Sequence, residues 1–134
     1  RSYGWYAARL GNVFINRKER IKSIKSISEK VFKSLNKNFK VIIFPEGTRQ
    51  LDNNIGDIKP GVFAIQSFCK CLVYPIYISS NKVWPKNSFL KKNKSIIVKT
   101  LSPINFNRSK KESLSILKKK LEVENKKSKQ LWTF

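Results

Sequence analysis

Val41-Ile42-Ile43-Phe44-Pro45-Glu46-Gly47-Thr48-Arg49 sets four apolar, strand-forming residues directly against a turn that carries a carboxylate, a hydroxyl and a guanidinium. Open α/β sheets bind ligands in the short loops at the ends of buried strands. A turn that serves only the backbone needs Gly47 and gains from Pro45, but it has no use for Glu46, Thr48 and Arg49 together. Lys40–Phe44 therefore reads as a buried strand, and the loop that follows it as the carrier of the chemistry.

Working outward, Asn12–Asn16, with Val13, Phe14 and Ile15 contiguous, reads as an earlier buried strand that exits at Arg17. Ahead of it, Ser2–Leu10 reads as the end of a helix stopped by Gly11. Between the two strands, Lys18–Asn38 places Ile21, Ile24, Val31 and Leu35 at helical spacing, with Ile27 and Phe32 widening the stripe. Downstream, Gln50–Lys59 is a polar loop and Gly61–Lys70 a short helix with Val62, Ile65 and Phe68 on one face. Leu72–Ile78 is a third strand, where Pro75 requires an edge or a bulge. A loop holding Trp84-Pro85, a fourth strand over Ser95–Leu101 and a last helix over Lys110–Lys127, with Leu114, Leu117 and Leu121 inward, complete the chain.

Strand, helix, strand, helix, strand predicts an α/β fold: a mostly parallel mixed sheet flanked by helices, as a single domain over residues 1–134. Right-handed crossovers lay consecutive strands side by side, about 4.8 Å apart. Arg17 and the Glu46–Arg49 loop then leave the sheet at one edge, within reach of Lys59.

Composition narrows the partners. The 134 residues hold 29 Lys+Arg against 8 Asp+Glu, a formal charge of +21, which calls for an anionic partner: nucleic acid, a phospholipid surface or a phosphorylated substrate. A solvated-surface reading competes, because Lys-rich helix faces are commonly just hydrated, so charge alone does not choose among them. With 40% hydrophobic residues the chain supports a core, and it contains no apolar run of bilayer-spanning length. The first residues do not read as a secretory leader. The chain opens on Arg1 and has no Met, as expected of a piece of a longer protein. Cys69 and Cys71, in a chain without His, do not make a four-ligand zinc site, and as i, i+2 strand neighbours they would form a strained disulfide. Both read as reduced, core-facing thiols of a cytosolic protein, and no metal is expected.

Arg17, Arg49 and Lys59 make a small pocket of positive charge suited to phosphate oxygens, and Gly61 opens a helix whose first amides favour an anion. Glu46 is one of only three acidic residues between Lys30 and Lys111. It reads either as the ion-pair partner of the arginines or as an acceptor for a substrate hydroxyl. Thr48 reads as a backbone cap or as a substrate contact.

These residues resemble the glycerolipid acyltransferases, typified by bacterial 1-acyl-glycerol-3-phosphate acyltransferase. Phe44-Pro45-Glu46-Gly47-Thr48-Arg49 is similar to the family's third signature block, and Gly11-Asn12-Val13-Phe14-Ile15-Asn16-Arg17 to its second. Lys59-Pro60-Gly61 resembles the Lys-x-Gly that follows the third block, and Val73-Tyr74-Pro75-Ile76 the fourth block. The resemblance runs from about Gly4 to Leu131 with the blocks in order. It implies a glycerol-3-phosphate acyltransferase-like fold and transfer of a fatty acyl group from acyl-CoA or acyl-carrier protein to lysophosphatidic acid, giving phosphatidic acid, with no other cofactor. Arg17, Arg49 and Lys59 would hold the acceptor's phosphate and Glu46, with Gly47 and Thr48, its glycerol portion. Gly61 would belong to the same pocket, and Pro75 would line the acyl or acceptor site. The resemblance also implies a bacterial protein at the cytoplasmic face of the cell membrane, where Trp5, Tyr6 and Trp84 beside Lys or Arg suit an anionic headgroup layer.

The family's first block, His-x-x-x-x-Asp, supplies its general base, and this chain has no His. The expectation is an N-terminally truncated piece, with the base and membrane helices before Arg1, that does not catalyse transfer alone. Two other functions compete. One is a related acyltransferase acting on glycerol 3-phosphate or a lysophospholipid. The other is a basic nucleic-acid-binding module, which charge favours but for which no RNA-binding signature, zinc spacing or recognition helix appears.

Overall fold

The computed structural model describes residues 20–48, 50, 54–93, 95–105 and 107–130. They form α1 (Arg20–Asn36), α2 (Gly61–Cys69), β1 (Ile76–Ile78), a 3-10 turn (Ser80–Lys82), β2 (Val98–Thr100) and α3 (Lys110–Gln130). The segments expected at 2–10 and 12–16 lie outside the described residues.

Helix α1 buries Ile27, Ser28 and Val31 along one stripe. Ser28 satisfies its buried hydroxyl by donating to the Ile24 carbonyl one turn back, at 2.9 Å. The helix ends where Asn38 adopts φ 60°, with the Phe39 amide returning to the Ser34 carbonyl and the Asn38 amide to that of Leu35. That pair of bonds is a Schellman stop, with Asn in the left-handed position.

Helix α2 packs on α1 through an edge-on contact between Phe32 and Phe68, whose ring centroids lie 6.1 Å apart. Its other face buries Val62 and Gln66. Val62 joins Tyr77, Ile104, Leu117 and Leu121 in the main core, flanked by Ile55, Ile58, Val73 and Leu114. Leu117 and Leu121 thus face inward as their spacing predicts, and Leu114 borders the core. Gln66 was not an expected core residue. Its side-chain amide donates to the Cys71 carbonyl at 2.9 Å, which makes its burial tolerable. Both cysteines are free and half-buried rather than core residues. Desolvation pushes the Cys69 thiol above its ordinary pKa, with Cys71 adding to the shift.

The third and fourth expected strands are shorter than their sequence pattern, and they pair antiparallel, Ile76 with Thr100 and Ile78 with Val98. A separate bridge joins Val73 to Ile104. Two residues separate Val73 from Ile76, but three separate Thr100 from Ile104, so the ladder carries a one-residue bulge opposite Pro75. Pro75, which has no amide to give, is buried there and accepts the Leu101 amide at 2.8 Å.

Lys40–Phe44 departs from expectation. It carries no ladder among the described residues, and Ile42 and Phe44 are 76% and 77% exposed. A strand is buried by its neighbours, and the expected neighbour, 12–16, falls outside the described residues. Among the described residues no helix is long and apolar enough to cross a membrane.

Candidate functional site

The turn after Phe44 is built by its own sequence. The Gly47 amide returns to the Phe44 carbonyl at 3.1 Å, so Pro45 occupies the first central position, where its fixed φ suits a turn. Gly47 then takes φ +71°, a conformation that costs a side-chain-bearing residue about 1 kcal/mol or more.

Two bonds close the following loop onto this turn. The Lys59 amide donates to the Pro45 carbonyl at 2.8 Å. The Gly56 amide donates to the Glu46 carboxylate at 2.8 Å. A Cβ at Gly56 would first meet the end of the Gln50 side chain and then Glu46 Oε2, at 2.7 Å, so a side chain there requires both to shift. The Lys59 stem passes beside the turn, its Cγ 3.9 Å from where a Gly47 Cβ would project.

Loop 83–92 reaches the same place from the other side, with Lys86 Nζ donating to Thr48 Oγ1 at 3.3 Å. The Asn81 side-chain amide donates to the Gln50 carbonyl at 3.4 Å. Helix α3 holds the loop's far side: Lys118 binds Asp57 at 2.8 Å, and Lys129 donates to Asn54 at 2.9 Å. Hydrogen bonding to Lys118 and its positive charge hold the Asp57 carboxyl below its ordinary pKa, with Lys59 adding a little. The same partnership raises Lys118, to which Glu46 makes a small contribution.

The structure thus brings Lys59 alongside the Glu46–Thr48 turn. Glu46 accepts a backbone amide, that of Gly56, while the arginines expected beside it lie outside the described residues. Among the described residues no carboxylate forms an ion pair with Lys59 or Lys86. Lys86 brings its ammonium to Thr48, and Lys59, whose charge also acts on Asp57, passes beside the turn, so positive charge gathers there, an arrangement suited to an anion. Gly61 opens α2, and a Cβ at that position would meet nothing within 4 Å, so its surroundings are open. Pro75 sits at the sheet bulge, and no described hydrogen bond joins it to the Glu46 turn. Arg17 and Arg49 lie outside the described residues.

Sequence reasoning missed Gly56 and Lys86. Gly56 was legible only as a glycine in a polar loop, and Lys86 as one of 29 basic residues, marked out by nothing but its place after Trp84-Pro85.

Comparison with known proteins agrees with the motifs. Residues 1–79 match the Acyltransferase family. Over 96 residues the chain is 34% identical to the 1-acyl-sn-glycerol-3-phosphate acyltransferase of Limnanthes douglasii, covering 70% of this chain and 34% of the relative. It is 35% identical over 85 residues to the enzyme of that name from Cocos nucifera, covering 63% and 27%. With that of Pseudomonas aeruginosa the identity is 30% over 89 residues, covering 66% and 35%. Plant and bacterial proteins are thus matched about equally well. The chain spans about a third of the length of these curated relatives. No solved structure matches it. The ordered Pro-Glu-Gly-Thr turn, the lysine brought against it and the family match over more than half the residues converge: the chain belongs to the Acyltransferase family.

Proposed function

We propose that this chain forms the acceptor-phosphate half of an enzyme that acylates 1-acyl-glycerol 3-phosphate to phosphatidic acid in phospholipid synthesis, at the cytoplasmic face of a membrane. The acceptor hydroxyl oxygen attacks the carbonyl carbon of an acyl-CoA or acyl-carrier-protein thioester. The C–O bond forms, the C–S bond breaks, and the hydroxyl proton passes through a base to the departing thiolate. Lys59 binds the acceptor phosphate together with Arg17 and Arg49, the guanidiniums as forked donors and the lysine as a point charge. Glu46 has one carboxylate oxygen fixed by Gly56, and its other oxygen accepts a glycerol hydroxyl. With no histidine among the 134 residues, the base comes from outside this sequence, and the chain alone does not turn over.

The observation that carries the reading is the Lys59 backbone bond to Pro45, because it brings the stem of this lysine alongside the turn. The test is binding of a short-chain 1-acyl-glycerol 3-phosphate, below its micelle concentration, against the matching monoacylglycerol. Lys59→Gln and Arg49→Gln are expected to weaken the phosphorylated ligand about tenfold each and leave the other unchanged. Equal losses for both ligands would overturn the phosphate assignment. Acyl transfer by the purified 134-residue chain would overturn the need for an outside base.

A further inference from the structure

Loop 83–92 presents an apolar tip that stands exposed among the described residues. Phe89 is fully exposed and its neighbour Leu90 is 81% exposed. Water-facing side chains of this kind usually collapse inward when the backbone allows, but here the backbone is fixed. The Lys92 amide donates to the Val83 carbonyl at 2.8 Å and closes the loop's neck. Trp84 Nε1 donates to the Ser88 carbonyl at 2.7 Å, and the Ser88 hydroxyl both accepts the Leu90 amide and donates to the Leu90 carbonyl. Asn87 adopts φ 67°, which turns the chain before the tip.

Cations surround the two apolar residues. Lys91 and Lys92 follow directly, and Lys91 Nζ lies 4.7 Å above the Trp84 ring. Lys86 stands on the near side, with its ammonium at Thr48. An aromatic and aliphatic tip ringed by lysines and an indole has the composition of the boundary between lipid headgroups and acyl chains.

We infer that loop 83–92 is a membrane-docking element: Phe89 and Leu90 enter an anionic phospholipid bilayer while Lys91 and Lys92 meet its phosphates. A second copy of this chain fits less well. Two tip residues fall far short of the roughly 800 Å² per partner that a stable protein interface buries, and chains of charge +21 repel one another. The bond from Lys86 to Thr48 makes the docking loop continuous with the Glu46 turn, so a lipid acceptor would enter the site from the bilayer without crossing water. The inference rests on the lipid-acceptor reading for that last step only.

The test uses the 134-residue chain with vesicles of phosphatidylcholine and phosphatidylglycerol that hold no acceptor lipid, so its outcome is independent of phosphate recognition in the site. The double variant Phe89→Ser/Leu90→Ser keeps the charge and is expected to lower vesicle partitioning about tenfold or more. Phe89→Trp is expected to bind normally. Its fluorescence, above that of the three native tryptophans, should be quenched by phospholipids brominated on the acyl chains. Unchanged partitioning of the double variant, or a bound Phe89→Trp without added quenching, would overturn the inference. So would a self-associated wild-type chain that the double variant renders monomeric while vesicle binding stays the same.

Discussion

The Glu46 carboxylate accepts the amide of Gly56, ten residues further along, at 2.8 Å. With the Lys59 amide bond to the Pro45 carbonyl, it closes the polar stretch after the turn into a loop that brings Lys59 back to its start. A hydrogen bond to a charged acceptor contributes about 1.5 kcal/mol or more when its loss leaves the donor unsatisfied.

Glu46→Ala removes that acceptor, and Gly56→Ala crowds it, because the added methyl would press on the Gln50 side-chain end and on Glu46 Oε2. Each is expected to lower stability by about 1–2 kcal/mol, whereas Glu46→Gln, which keeps a carbonyl oxygen in place, costs less. Urea unfolding of the three variants checks the order. If Gly56→Ala is as stable as the parent chain, the bond does not hold the loop.

Tyr77 lies in the core, and its hydroxyl donates to Asn125 of α3 at 3.1 Å. Tyr77→Phe keeps the ring and deletes the donor, so it is expected to cost about 1 kcal/mol. Tyr77→Ala also removes the packing of the core ring and is expected to cost about 3–5 kcal/mol. A Phe variant that unfolds at the wild-type urea midpoint would show that this bond adds nothing.

Acid stability follows from three depressed carboxyls. Hydrogen bonding to Lys118 lowers Asp57, hydrogen bonding to Ser109 lowers Glu112, and Lys99 with Lys127 lowers Glu124. Carboxyls with folded values below their unfolded ones contribute stability that is fully present above the ordinary values, 3.8 for Asp and 4.5 for Glu, and is lost as pH falls through the lower folded values. Urea midpoints are expected to hold from pH 7 to about 5 and to drop below that. In Glu112→Gln the drop should be shallower. An identical acid profile for parent and variant would remove Glu112 from the account.

The sequence by itself specified the local structure. The 3.6-residue periodicity of Leu114, Leu117 and Leu121 located α3, Asn38 was placed at the end of α1, and Pro75 called for an edge or a bulge, of which a bulge stands opposite it. The Pro45-Glu46-Gly47-Thr48 turn was legible as well, because turn chemistry is set within a few residues. Tertiary structure alone decided that Glu46 binds the Gly56 amide, that Lys86 arrives at Thr48 from 38 residues away, and that Gln66 is buried. It also decided that the third and fourth strands run antiparallel and that Lys40–Phe44, apolar as it is, stands exposed among the described residues. The physical reason is the same in each case. A side chain's preferences fix its own backbone, but which amide, ammonium or neighbouring strand meets it depends on how distant segments pack, and local periodicity does not encode that choice.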